Sequence, residues 1–211
     1  MTPQFNAAFR AELRTLFEWR RDVRHFRRDA LPEGTLERLL ETASLAPSVG
    51  LSEPWRFVLV SDPARRAAIR AGFVRQNALA TEKQAGERAA LYARLKLEGM
   101  EAAPVQFALF ADPDPAQGHG LGRRSMPETA AYSAVLAAHT LWLAARAEGL
   151  GLGWVSILDP AEVTGILDVP AGWHFIGYFC LGYPEASAAS PELERAGWER
   201  RRTPISKLVY R

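Results

Sequence analysis

Three arginines surround one carboxylate over five residues near the N-terminus, Arg20-Arg21-Asp22-Val23-Arg24. Adjacent guanidiniums, with a further one two residues on, can grip a phosphate from several sides, because each fork of N–H donors matches a pair of anionic oxygens. Asp22, set among them, is expected to be held ionised and to be available as an acid, a base or a hydrogen-bond acceptor. Taken alone, the run reads as a surface Arg–Asp network. A second stretch, Pro47-Ser48-Val49-Gly50-Leu51-Ser52-Glu53-Pro54-Trp55, offers a hydroxyl and loop amides to a polar ligand edge, its prolines and glycine shaping the turn. It reads equally as an ordinary helix–strand connection.

A third stretch is Glu148-Gly149-Leu150-Gly151-Leu152-Gly153-Trp154-Val155-Ser156. Its glycines follow a helix and precede a strand, the reverse of a dinucleotide fingerprint, which argues against NAD binding by that route. Such glycines would let a flat ligand approach the backbone closely. A fourth, Arg200-Arg201-Arg202, lies near the C-terminus and could complete a phosphate site. Of the histidines, His139 falls on an apolar helix and is expected to be a satisfied core histidine. No pair of histidines has metal-ligand spacing. Cys180, the single cysteine, is flanked by aromatic and apolar residues and reads as a small buried hydrophobe.

The elements that must hold these residues follow from periodicity. Phe5, Phe9, Leu13, Leu16 and Phe17 mark a helical face just before the arginine run. A helix over 33–46 lies between Pro32 and Pro47 and leads into a strand at 55–60. Residues 64–101 are charged and helical in pattern, with glycine breaks, and 105–110 is an apolar strand. The Gly/Pro-rich segment 112–124 lacks periodicity and has the length of a functional cover. A long apolar helix ends at Glu148; strands follow near 151–156 and 173–182, with a short helix opening at Asp159-Pro160. The order implies one α+β domain over 1–211, a central mixed sheet packed by helices. The long helix has more apolar surface than one sheet face would cover, as a helix-mediated homodimer would use; a deep core helix in a monomer is the alternative.

Bulk composition narrows the classes. The chain has 211 residues, 48% of them apolar and 24% charged, as a globular domain does. Its 26 Lys and Arg against 24 Asp and Glu leave a net charge of +2, too little to argue for nucleic acid or a membrane surface. The apolar stretch 130–147 carries Tyr132, Ser133, His139, Thr140 and Arg146, which suits a buried helix better than a lipid-facing one. With Arg10 and Glu12 and no apolar core, the N-terminal stretch is not expected to be a secretory signal, and the cytoplasm is the expected location.

In this order along the chain, the four stretches resemble the nitroreductase-like flavoprotein family. That family's pattern begins Arg-Arg-Ser-x-Arg, continues through a Pro-Ser-x-x-Asn-x-Gln-Pro-Trp loop and a Glu-Gly-Leu-Gly turn, and ends with a late Lys-x-Arg before a hydrophobic terminus. The resemblance covers about residues 15–211. Asp22 stands where the family commonly has Ser, Leu51 and Glu53 stand in the Asn and Gln places, and Arg200 replaces the late Lys. These departures, with 122–129 (Gly-Arg-Arg-Ser-Met-Pro-Glu-Thr) and 153–160 (Gly-Trp-Val-Ser-Ile-Leu-Asp-Pro), look like the branch of 5,6-dimethylbenzimidazole synthases.

The resemblance implies a nitroreductase-like fold, a homodimer, and FMN lying across the dimer interface. It implies a phosphate held by Arg20, Arg21, Arg24 and Arg202, with Asp22, Val23, Pro47 and Leu97 also among the contacts. The ring would lie near Ser48, Gly153 and Ser156. It further implies that reduced FMN is the substrate, that dioxygen is consumed, that the flavin is fragmented to the lower ligand of vitamin B12, and that a separate flavin reductase supplies it. Asp22 and Ser156 are the implied catalytic residues and 112–129 the lid; spacing and charge, apart from the resemblance, give no reason to expect a metal, nucleic acid or a membrane. An FMN-retaining NAD(P)H nitroreductase and a non-catalytic flavin-binding protein are the competing readings.

Overall fold

The structure, a computed structural model, describes residues 4–202 and 204–211. Four strands, β1 (Trp55–Leu59), β2 (Val105–Ala111), β3 (Gly151–Val155) and β4 (His174–Gly182), form one sheet in the order β1-β2-β4-β3. All three strand pairings are antiparallel, so the sheet is not mixed as expected. The parallel component shrinks to a single bridge between Asp22 and Leu152. The reason is that the chain beside β3 is the arginine segment, which joins through one residue pair rather than a full ladder.

Among the described residues seven α-helices surround the sheet: α1 (Ala7–Trp19), α2 (Thr35–Ala43), α3 (Pro63–Glu82), α4 (Gly86–Tyr92), α5 (Thr129–Ala147), α6 (Pro160–Leu167) and the short α7 (Glu192–Arg195). Local signals account for their starts. The Asn6 side chain accepts from the Phe9 amide at 2.8 Å. Asp62 and Asp159 cap α3 and α6, each followed by a proline at a position where no amide donor is needed. The expected helix to about 101 stops instead at Tyr92. Residues 95–99 run as irregular chain, and Gly99 lies so close to Phe26 that an added Cβ would sit 2.4 Å from its ring.

β2 is buried on both faces, because alternate residues enter different cores. Phe107, Leu109 and Ala111 face α2 and α5 together with Leu152, Phe179 and Leu181. Ala108 and Phe110 join Tyr178, Cys180, Ile69, Phe73 and Val163 on the α3–α6 side. Cys180 is buried and free, as its neighbours implied. Within α5, Ala134, Ala137, Ala138, Leu141 and Ala145 are buried, while Tyr132, Leu136 and His139 are exposed. His139 is therefore not a core residue: it falls on the one stripe of the helix that the chain itself does not cover. No helix among the described residues is long and apolar enough to cross a membrane.

Candidate functional site

The arginine run closes the free edge of β3. The Val23 amide donates to the Leu152 carbonyl at 3.0 Å, and the Asp22 Oδ1 accepts from the Trp154 amide at 2.9 Å. A carboxylate thus takes the place of a ladder carbonyl, and strand edge groups that would lie open are satisfied. The glycines of β3 explain the close fit. A Cβ at Gly151 would lie 2.7 Å from the Val23 side chain, and one at Gly153 would lie 2.1 Å from the Val23 carbonyl oxygen. These glycines admit the chain's own arginine segment, where a flat ligand was expected.

The three guanidiniums then diverge. Arg20 lies over the Trp142 ring, 4.8 Å from its centroid. Arg21 is held by the chain beyond β4, donating from Nε to the Ala188 carbonyl at 3.0 Å and from Nη2 to that of Ala189. Arg24 turns back, donating from Nε at 3.2 Å and Nη2 at 3.0 Å to Asp22 Oδ2 and from Nη1 to the Lys96 carbonyl at 2.8 Å. Asp22 thus has one direct arginine partner. Burial pushes its carboxyl above the usual aspartate range, against the opposing pull of Arg24, the Trp154 amide and Arg20. The expectation that the arginines would dominate is corrected here, since two of them are committed elsewhere.

Two adjoining cavities open on this segment. One, of about 200 Å³, is lined by Asp22, Arg24, His25, Glu185, Glu192 and Arg195 among others. The other, of about 150 Å³, lies between Arg20, Arg21, Asp22 and Arg24 on one side and Glu192, Leu193 and Arg201 on the other. His25 Nε2 meets Glu192 Oε1 at 3.2 Å and joins the two walls. Burial, and then the neighbouring arginines, hold the Arg21 guanidinium below its ordinary value; among those neighbours are Arg201, Arg20 and Arg195. Cations that lower one another's affinity for protons mark a field that a bound anion would relieve.

The remaining sequence-derived residues divide. Val23 lines the larger cavity, and Leu97 is half-buried in the same apolar cluster as Val23. Gly153 is buried against the arginine segment, and Ser156 lies exposed just past the end of β3. Arg202 is exposed, and it is Arg201 that lines the cavity. Arg201 was visible only as one of three consecutive arginines. Arg195 and Glu192 had no sequence signal, being single charges in a polar tail.

The 47–54 loop is placed elsewhere. Pro47 is exposed, the Ser48 hydroxyl accepts from the Glu53 amide at 3.1 Å, and the Val49 amide donates to Ser133 Oγ at 3.0 Å. Arg21, by contrast, receives the Trp142 indole N–H on its carbonyl at 2.9 Å. Ser133 and Trp142 lie roughly 14 Å apart along α5 at about 1.5 Å per residue. Within one chain, the loop and the arginine segment therefore sit at opposite ends of that helix. The loop is covered by the segment after β2: Gln117 Nε2 donates to the Leu51 carbonyl at 2.8 Å, and Gly118 abuts Ser52. Arg123, only 8% exposed, staples that segment by donating to the Pro113 and Pro115 carbonyls, so it is internal structure rather than an anion ligand. Among the described residues no group of three or more His, Cys, Asp or Glu could hold a metal ion.

Comparison with known proteins sets this geometry in context. Residues 17–183 match the Nitroreductase family. A 5,6-dimethylbenzimidazole synthase of Rhodospirillum rubrum is 59% identical over 200 residues, covering 95% of each chain. Another from Rhodobacter capsulatus is 50% identical over 92% of this chain and 94% of its own. Among solved structures, an oxidised iodotyrosine deiodinase bound to FMN and 3-iodo-L-tyrosine superposes with a TM-score of 0.70 at 25% identity, over 83% of this chain and 91% of that one.

Proposed function

The chain belongs to the nitroreductase family, and from that premise we propose that it is a 5,6-dimethylbenzimidazole synthase, fragmenting reduced FMN with dioxygen to the lower ligand of vitamin B12. The near full-length identity to two such synthases supports the reading. The observation that carries it is Asp22. A carboxylate stands in the wall of two cation-rich cavities, fixed at one oxygen by the Trp154 amide and at the other by Arg24. A flavoprotein that only passes electrons has no need of a proton-moving group at that place.

The residues fit the phosphate end of FMN. Arg20, Arg21 and Arg201 face the smaller cavity and outnumber the carboxylates Asp22 and Glu192. Neither cavity reaches the roughly 300 Å³ of an ordinary small-molecule pocket. The ring must then be housed by further protein, and the exposed stripe of α5 provides the means: a second copy docked there would bring its own 47–54 loop, with its Ser48, to the arginine segment. Reduced flavin supplies the electrons for dioxygen and the ring carbons of the product. Arg20 and Arg201 anchor it, Asp22 accepts or returns protons during bond cleavage, and Ser156 donates a hydrogen bond beside the ring. The 112–129 segment excludes water. A separate reductase, in the cytoplasm, delivers the flavin already reduced.

The test supplies chemically reduced FMN to the protein in air and looks for dimethylbenzimidazole by chromatography and absorbance. Asp22→Asn and Ser156→Gly are expected to keep FMN binding and to lose turnover by at least about a hundredfold, the usual scale of a lost acid–base group. Clean reoxidation to FMN by the parent protein, with no fragment released, refutes the proposal. Steady NAD(P)H consumption with FMN retained would establish the oxidoreductase instead.

A further inference from the structure

We propose that Arg24 is a positioning residue for Asp22, tying it to the 96–98 segment, and not a ligand of the FMN phosphate. The inference rests on the function proposed above. Its basis is geometric. The Arg24 side chain is 12% exposed, and three of its N–H groups are directed at protein acceptors: two at Asp22 Oδ2 and one at the Lys96 carbonyl. A guanidinium held edge-on in this way presents no paired fork to an incoming phosphate.

Glu98, close by, ties the same segment together. Buried two residues beyond Lys96, it accepts the Met100 amide with Oε2, while its Oε1 lies 3.8 Å from Lys96 Nζ. Arg24 therefore runs from the Lys96 backbone carbonyl to the carboxylate, and the Trp154 amide holds the carboxylate's other oxygen. A proton-transfer group whose partner is oriented by a third group is the arrangement that nucleophile–base pairs require. Arg20 and Arg21 make no such contact with Asp22: Arg20 lies over the Trp142 ring, and Arg21 donates to the carbonyls of Arg20, Ala188 and Ala189.

The groups around Asp22 set the expected titration. Arg24 and Arg20 approach from its own segment, the Cys180 thiol from β4, and Glu192 and Arg201 from across the cavity. Burial raises the Asp22 carboxyl, and Arg24 is the strongest of the groups pulling it back down.

The experiment compares Arg24→Gln and Arg24→Lys in the full chain with the parent. FMN affinity is read by quenching of flavin fluorescence. The Asp22 midpoint is read by carbon-13 NMR of the side-chain carboxyls, assigned with Asp22→Asn, and product is measured from reduced FMN in air. Arg24→Gln should bind FMN within about threefold of the parent. It should raise the Asp22 midpoint by about one pH unit or more and cut product at least about tenfold. Arg24→Lys keeps the charge but not the fork, so its midpoint should stay within about half a unit while turnover recovers only in part. An unmoved midpoint in Arg24→Gln overturns the proposal. So does a loss of FMN affinity of about tenfold or more in Arg24→Lys, a result that stands even if the glutamine variant does not fold. If the parent protein makes no dimethylbenzimidazole, the functional reading fails, while the affinity and titration measurements still decide the role of Arg24.

Discussion

Asp22 shows how a single residue's chemistry is decided by competition. Its carboxylate has the hydrogen bonds of an ionised group, two from Arg24 and one from the Trp154 amide, yet burial outweighs them and raises its pKa. The side chain keeps 33% of its exposure, where it lines the cavities, so proton exchange with a ligand is open to it. The direction of the shift has a consequence for stability. A carboxyl raised in the folded state binds its proton more tightly there than in the unfolded chain. Its contribution to stability is complete below the ordinary aspartate value of about 3.9 and is lost as pH rises through the raised folded value. Asp22→Asn removes that loss. The thermal midpoint of Asp22→Asn relative to the parent should therefore become more favourable as pH rises from the ordinary aspartate value through the raised folded one. A difference that is flat, or that moves the other way, means that burial is not the dominant influence.

At the scale of elements, the site depends on how closely an irregular segment can lie against a strand. The Val23 carbonyl occupies the space that any side chain at residue 153 would need. Gly153→Ala must push the arginine segment off β3 and break the Asp22–Trp154 contact. A loss of at least about 2 kcal/mol is expected in denaturant unfolding, the scale of a core clash, together with loss of FMN binding. Gly165→Ala is the control. Nothing lies within 4 Å of a Cβ at Gly165, which sits inside α6. There alanine should stabilise by about 0.5–1 kcal/mol through its better helix propensity. Equal effects at the two positions would mean that the close approach of Val23 is not what Gly153 serves.

For the whole molecule, α5 organises the fold and carries the face of the proposed dimer. One side is buried against the sheet and α2, one end holds the Ser48 loop, and the other receives the arginine segment. The stripe left over carries Tyr132 at 55% exposure and Leu136 at 43%, and α1 carries exposed Phe9 and Phe17. Large exposed apolar side chains of this kind mark association surfaces. Leu136→Asp is expected to convert a dimer to a monomer in sedimentation experiments and to abolish dimethylbenzimidazole formation, while the monomer keeps its helical circular dichroism. A variant that sediments as the parent does would remove this stripe from the interface.

Much of this protein was legible along the chain, because the signals are local. Caps and prolines set helix starts, an apolar run marked β2 and aromatic alternation β4, and five consecutive residues named the arginines and the carboxylate. What the sequence could not determine depends on chain brought together from far apart. Direct contact with Asp22 belongs to Arg24 rather than to all its neighbours because Trp142 and the 188–189 carbonyls engage the other two arginines. The glycines of β3 serve Val23 because the arginine segment completes that strand's edge. His139 is exposed because burial on a helix is settled by what packs against each face, and an apolar stretch alone does not say which face is left over. Residue types in order were enough to bring three arginines and a carboxylate together as an expected site. Only the tertiary structure decided which arginine holds that carboxylate, since a guanidinium's partner is chosen by distance in space and by the cost of leaving either charge buried without one.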